Sequence, residues 1–298
     1  MSKKSIIGSI VLVLIIISFV IFIKIFNLKE INKNQIDVEQ FIKYSDEVSY
    51  DKSQVNWKYV ASIVGVLHDN KFENISDHEI KEIASLFLIK DKGAYKSLPL
   101  PKVAEKLKFN KKQIRRMNDY VEDLNNYGLI PSRLSADGKY LKFIDSIKSS
   151  AIENYNKFNI LPSITIAQAI LESNWGESEL SSKYNNLFGI KAHSSWKGHS
   201  VNVETSEHYN QIIKDEFRAY KSKSDSLKDH AKFLSENPRY KEVLKKPTYI
   251  QQSQELQNAG YSTVSDENGN LTYKKLIDQI IQQYNLQLID SDVEEIKR

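Results

Sequence analysis

FNILPSITIAQAILESNWG, residues 158–176, is the stretch whose reading decides the fold. From Phe158 to Leu171 it holds no Asp, Glu, Lys or Arg, although charged residues make up 27% of the chain, so this segment is expected in the interior. Pro162 and Ser163 supply a helix start, with Ser163 as N-cap, and Trp175 and Gly176 supply the stop. At 100° per residue, Ile164, Ile166, Ala167, Ile170 and Leu171 spread over nearly half the circumference. Thr165, Gln168 and Glu172 form a narrow polar stripe opposite them. Glu172, with small Ala169 beside it, is then expected at the floor of a groove. A carboxyl in such apolar surroundings holds its proton toward neutral pH, because desolvation penalises the charged form. Acid-catalysed cleavage of a glycosidic bond needs such a carboxyl, plus a second carboxylate or the substrate's own acetamido group. From the helical pattern alone, a glutamate near a helix end is most often simply solvated.

Working outward, YLKFIDSIKSSAIENYNKF before this helix is amphipathic. Residues 196–220 carry Val, Thr, Phe and Tyr in partial alternation around HYNQ, which predicts a β-hairpin. Helical patterns resume in SDSLKDHAKFLSENP, TYIQQSQELQNAG and TYKKLIDQIIQQYNL. Residues 135–290 therefore read as one mainly α domain with a small hairpin, followed by a tail over 291–298. Upstream, residues 41–134 read as a small all-helical domain. Trp57, Val60, Ile63, Val64 and Leu67 are spaced three and four apart, Ser76 with Glu79 forms a capping box, and Gly128 closes the last helix.

Residues 27–40 read as a polar tether. Before it, SIIGSIVLVLIIISFVIFI, Ser5 to Ile23, contains no charge and is long enough to cross a hydrocarbon core of roughly 30 Å. A transmembrane helix over 5–26 is expected, and the bulky run from Phe19 to Phe26 argues against a cleaved signal peptide. Lys3 and Lys4 favour a cytoplasmic residue 1–4 segment, which puts the remainder on the extracellular side as a single-pass membrane protein.

The net charge of +4 is mild and unclustered, which disfavours nucleic acid and suits weak attraction to anionic wall polymers or lipid headgroups. No cysteine is present, so neither a disulfide nor a thiol-linked lipid is possible. The six histidines lack metal-ligand spacing, and no H-E-x-x-H, P-loop, G-x-G-x-x-G or G-x-S-x-G occurs. No metal and no cofactor are expected.

Six motifs follow one another in order: AQAILESNWGES, YNNLFGIKA at 184–192, WKG at 196–198, TSEH at 205–208, FRAY at 217–220 and NAGYST at 258–263. Together they resemble the glycoside hydrolase family 73 N-acetylglucosaminidases over roughly residues 140–288. The membrane helix ahead of a helical region is similar to the SagB-type single-pass members. The resemblance implies a mainly α, lysozyme-like catalytic domain and hydrolysis of the bond between N-acetylglucosamine and N-acetylmuramic acid in peptidoglycan strands. It implies Glu172 as general acid and Glu207 as the hairpin carboxylate. Tyr261 is implied in the cleft, where it would orient water or the acetamido group.

His208 stands where the family often has Tyr, and the hairpin is short before Phe217, so Glu204 and Glu216 stay open as rivals to Glu207. Gln168, Asn186, Phe188 and Trp196 are candidate substrate-binding residues. Trp196 reads either as a sugar-stacking surface or as a lid on the core, and residues 185–189 as a turn bracing the cleft. Arg218 either fixes the hairpin or keeps Glu207 ionised. A polytopic membrane protein is a further candidate partner. The alternatives are a lytic transglycosylase, which would ordinarily carry GLMQ after the glutamate where this chain has NNLFGIK, and a non-catalytic wall-binding scaffold.

Overall fold

Apolar residues three and four apart give this chain its helices, and two short alternating stretches give it two hairpins. The computed structural model describes residues 30–207 and 211–295, with only the backbone of residues 204–207 and 211–214. The first unit runs α1 (Val38–Ser49), α2 (Trp57–Leu67), α3 (Asp77–Ser85), β1 (Leu88–Asp91), β2 (Ala94–Ser97), α4 (Leu100–Lys106) and α5 (Lys111–Asp123). Its core centres on α2, where Trp57, Val60, Ile63 and Val64 are buried against Phe41, Phe87 and Tyr120.

The β1–β2 pair corrects the all-helical expectation. α3 stops at Ser85, and Lys92 (φ 48°) and Gly93 (φ 88°) form a two-residue left-handed turn between paired Asp91 and Ala94. That geometry matches the twist of a tight hairpin. The tether is also shorter than expected. Ile31 and Ile36 are buried, the Ile31 amide donates to Asp123 at 2.8 Å, and α1 already starts at Val38. At Ser76 the hydroxyl accepts from the Glu79 amide at 3.2 Å, but the Glu79 carboxylate turns to His68, so only half the expected box forms. Gly128 lies beyond the end of α5; a Cβ there would stand 2.6 Å from the Asn285 amide, so close approach rather than helix termination demands glycine. The expected span 5–26 lies outside the described residues; among these no helix is long and apolar enough to cross a membrane.

The second unit contains α6 (Lys139–Phe158), α7 (Pro162–Ser173), α8 (Glu179–Tyr184), β3 (Ser200–Glu207), β4 (Gln211–Arg218), α9 (Lys223–Glu236), α10 (Tyr249–Asn258), α11 (Tyr273–Gln283) and α12 (Gln287–Glu294). α7 is its axis: every residue from Pro162 to Ile170 is buried, with α6, α10, α11 and α12 packed around it. A helix covered on all sides has no place for charge. The polar stripe is covered as well, since Thr165 and Gln168 are fully buried and only Glu172 emerges. Ser163 is not the N-cap. Leu161 takes that position, and the Ser163 amide and hydroxyl donate to buried Asp290 of α12 at 2.9 and 2.5 Å. The expected tail begins inside α12, where Ser291 and Glu294 are buried.

The two units meet across a polar seam. Trp57 donates its indole N–H to Asn285 at 3.2 Å, and the Asn285 amide donates to the Tyr127 carbonyl at 3.0 Å. Tyr249 donates to Asp46 at 2.5 Å, and the Ser53 hydroxyl and Gln54 amide donate to Glu294 at 2.8 and 2.7 Å. Directional bonds of this kind fix orientation, where an apolar seam would allow sliding.

Candidate active site

Glu172 occupies the last turn of α7, one residue before the helix ends. Asn174, Trp175 and Gly176 follow with φ of 49°, 61° and 76°, a left-handed run that turns the chain away at once. Gly176 is required there, since a Cβ would stand 2.7 Å from the Phe143 ring. Trp175 anchors the turn, its ring centroid 4.5 Å from Tyr140, 4.7 Å from Tyr284 and 5.9 Å from Phe143. The carboxyl remains exposed on its open side, yet the protein crowding it from behind raises its pKa above the ordinary glutamate value. The helix C-terminus, with its negative dipole end, acts in the same direction.

One bond opposes that rise. The Tyr273 hydroxyl, at the first residue of α11, donates to Glu172 Oε1 at 3.1 Å and accepts from Gln168 Nε2 at 3.0 Å. Tyr261 lies against Tyr273, ring centroids 5.3 Å apart, and its hydroxyl stands 3.1 Å from His230 Nε2. Burial pushes His230 down to about 3, so the ring is neutral, and it stacks on Phe188 at 3.8 Å. His230 Nδ1 has no partner. A buried N–H left unpaired costs more than an unpaired lone pair, which assigns the hydrogen to Nε2. Nε2–H then donates to the Tyr261 oxygen and leaves the Tyr261 hydrogen for another acceptor. Tyr261 itself stays un-ionised, its pKa raised by burial and by the nearby Glu172 carboxylate.

The remaining candidates fall into distinct places. Asn186 is buried, its amide donating to the Ile190 and Arg218 carbonyls at 3.0 and 2.8 Å while its oxygen accepts from the Ile190 amide at 3.1 Å. It braces the 185–189 turn against β4. Gln168 communicates with Glu172 only through Tyr273, and Phe188 through the His230 and Tyr261 pair. Trp196 folds over Gly198, where a Cβ would meet its ring at 2.3 Å, and donates to the His199 carbonyl at 3.0 Å. The Arg218 guanidinium covers its ring at 4.5 Å.

Glu207 is the last paired residue of β3, opposite Gln211, at the far end of the hairpin. By strand alternation Glu204 has the opposite parity to Glu207, and Glu216, opposite Asn202, shares the parity of Glu204. The Glu216 carboxylate is exposed and accepts from the Ser200 hydroxyl. Arg218 is committed to Asp229 of α9 at 2.6 Å, the helix-fixing role of its two expected ones. Among the described residues no cluster of metal-ligating side chains occurs.

Tyr273 and His230 escaped the sequence reading. Tyr273 shares its spacing with buried Ile277 and Ile281, so it reads as one more core aromatic. His230, the one titratable residue among buried Ser226, Leu227, Ala231 and Leu234 of α9, was the signal available.

Residues 148–286 match the family described as mannosyl-glycoprotein endo-beta-N-acetylglucosaminidase. The chain is 41% identical to the exo-glucosaminidase LytG of Bacillus subtilis over 50% of its own length and 52% of that protein. It is 38% identical to the peptidoglycan hydrolase FlgJ of Salmonella typhimurium, covering 40% of this chain and 38% of that one. The chain thus spans about half or less of the length of these curated relatives. Among solved structures, the catalytic domain of the autolysin Auto of Listeria monocytogenes is 33% identical, with 61% of this chain and 98% of that domain covered at a TM-score of 0.45.

Proposed function

The chain belongs to the glucosaminidase family through residues 148–286, and from that premise we propose that it hydrolyses the β-1,4 bond between N-acetylglucosamine and N-acetylmuramic acid within peptidoglycan strands. The observation that carries this is Glu172: a lone carboxyl at the open end of a buried, charge-free helix, with its pKa raised and one oxygen held by Tyr273. The relatives named as an exo-glucosaminidase and as peptidoglycan hydrolases support the substrate class.

In the proposed reaction Glu172 gives its proton to the departing sugar oxygen. The Tyr273 hydroxyl then stabilises the carboxylate left behind, a charge-assisted bond stronger than the one it makes to the acid. Glu207 is the candidate for the second role, as base toward water or as partner of an oxazolinium formed by the substrate's acetamido group. Its support is the motif match and its parity, which is that of Val201 and Val203 opposite Phe217 and Asp215. The Tyr261 hydroxyl, its hydrogen released by His230, is suited to orient water or the acetamido oxygen. Trp196 offers a sugar the ring face that Arg218 leaves uncovered. No step requires a metal or cofactor. The apolar span 5–26 is proposed as a membrane anchor that holds the cleft outside and close to the bilayer; protease digestion of the folded part in intact cells tests this, and full protection would reverse the orientation.

Glu172→Gln keeps size and polarity but has no proton to give. It is expected to lower activity on intact sacculi about 10²–10⁴-fold with thermal unfolding little changed; undiminished turnover would remove Glu172 from the chemistry. Mass spectrometry of wild-type products should show reducing N-acetylglucosamine ends in fragments of several sugars. Release of single terminal sugars would mean exo action, and anhydro-muramyl ends would mean a transglycosylase. A wild-type protein that binds sacculi without cutting them would be a scaffold.

A further inference from the structure

A second cleft, of about 540 Å³, opens where the two units meet, away from Glu172. Its walls come from both units: Lys52 after α1, Lys90, Tyr95 and Lys96 on the first hairpin, Tyr155 near the end of α6, and Lys245 with Lys246 ahead of α10. Two carboxyl residues also line it, and both are engaged. Asp51 accepts from the Gln251 amide. Glu294 is buried, accepts from Ser53 and Gln54, and is pushed up by burial to about 7, which withholds much of its charge near neutral pH.

The lysines are not neutralised to the same extent. Lys245 and Lys246 pair with Glu242 and Glu255 at 2.6 and 3.6 Å. Lys52, Lys90 and Lys96 have no carboxylate within 4 Å among the described residues. The first two hold Nζ 5.8 and 5.4 Å from the centre of the Tyr95 ring. Lys96 acts electrostatically on Glu294, and Asp51 lies beside Lys52, yet in a protein of net charge only +4 five lysines against two carboxyls at one concave mouth are a local excess and not a share of general basicity. Such a mouth, backed by low-dielectric protein, concentrates anions.

We propose that this cleft binds the phosphates of a linear phosphodiester polymer. Ammoniums act on phosphate as compact point charges and need no planar, bidentate geometry. Lysines contributed by three separate chain segments suit a ligand with repeated charges better than a single anion, and the Tyr95 hydroxyl adds a donor, while that of Tyr155 is engaged by Glu294. Leu161, at the start of α7, belongs to this cleft, whereas Glu172 lies near the other end of that helix, roughly 16 Å away by helical rise. A polymer held here leaves the catalytic cleft open. The choice of a wall polymer as the source rests on the proposed wall hydrolysis; an anionic lipid headgroup presents the same chemistry.

The test uses the full chain and labelled poly(glycerol phosphate) at low salt. Binding is expected to weaken at least about tenfold in a Lys52, Lys90, Lys96→Glu variant and to fade as salt screens it. A Lys52, Lys90, Lys96→Gln variant should fall between, with circular dichroism reporting that each still folds. Lys111, Lys112, Lys142→Glu, which removes as much charge from other exposed positions, should bind as the wild type does; an equal loss there would overturn the site. Inorganic phosphate competing as well per phosphate as the polymer would overturn the repeated-charge claim. Phosphatidylglycerol vesicles held through the three lysines, with no polymer bound, would overturn the wall source. Cleavage of polymer-free glycan should survive the lysine changes, and polymer binding should survive Glu172→Gln, so failure of either proposal is read separately.

Discussion

At Glu172 two opposing effects set when the carboxyl carries its proton: burial raises its pKa, and the bond from Tyr273 lowers it. Tyr273→Phe removes the second effect and keeps the ring. The Glu172 pKa then rises further, and because the acid must be protonated to act, the alkaline limb of the kcat/KM profile is expected to move to higher pH. At the optimum kcat should fall about 10- to 100-fold, the usual consequence of losing a hydrogen bond to a charged group. A limb that stays in place would mean that Tyr273 does not act through Glu172. The acid itself was legible from its sequence, since a single carboxylate ends a charge-free run. Its tyrosine partner was not, because sequence spacing cannot tell an aromatic that only fills space from one whose hydroxyl meets a carboxyl 101 residues away.

The element that gives Glu172 its place is the turn after α7. Non-glycine residues at positive φ cost of order 1–3 kcal/mol each, and Asn174 and Trp175 both adopt it. The packing of Trp175 among Tyr140, Phe143 and Tyr284 offsets that strain. Gly176→Ala adds a third strained residue and drives a methyl into Phe143. A stability loss of about 1–3 kcal/mol is expected in denaturant unfolding, with a fall in activity because the turn carries the acid; unchanged stability would show that the turn adapts freely. The helix and its stop were readable from the sequence, but its start was misread. Ser163 looks like a cap until Asp290, far along the chain, takes both its amide and its hydroxyl.

For the whole molecule, the seam between the units contains carboxyls that burial pushes upward, Asp46 to about 6 and Glu294 to about 7. A folded-state pKa above the unfolded value makes the native state the stronger proton binder. The contribution to stability is fully present below about pH 4 and is lost as pH rises through the folded values. Glu294→Gln can still accept from Ser53 and Gln54 but never ionises. Its thermal midpoint, relative to wild type, is therefore expected to climb steadily from pH 4.5 to 7.5; a constant difference would show that Glu294 does not titrate in this window. The seam was invisible in the sequence, where Asp46, Ser53, Gln54, Asn285 and Glu294 read as ordinary surface residues of separate segments.

What the sequence determined by itself was local: helix periodicity, the uncharged axis, the second hairpin, and the motif order that carries the family resemblance. These are properties of neighbouring residues, and propensity and patterning act at that range. Tertiary structure alone decided which polar groups are buried together, that the 88–97 segment forms a hairpin, and that α7 is covered on its polar stripe as well as its apolar one. Those outcomes depend on contacts between residues far apart in the chain, whose energies have no signature in local spacing.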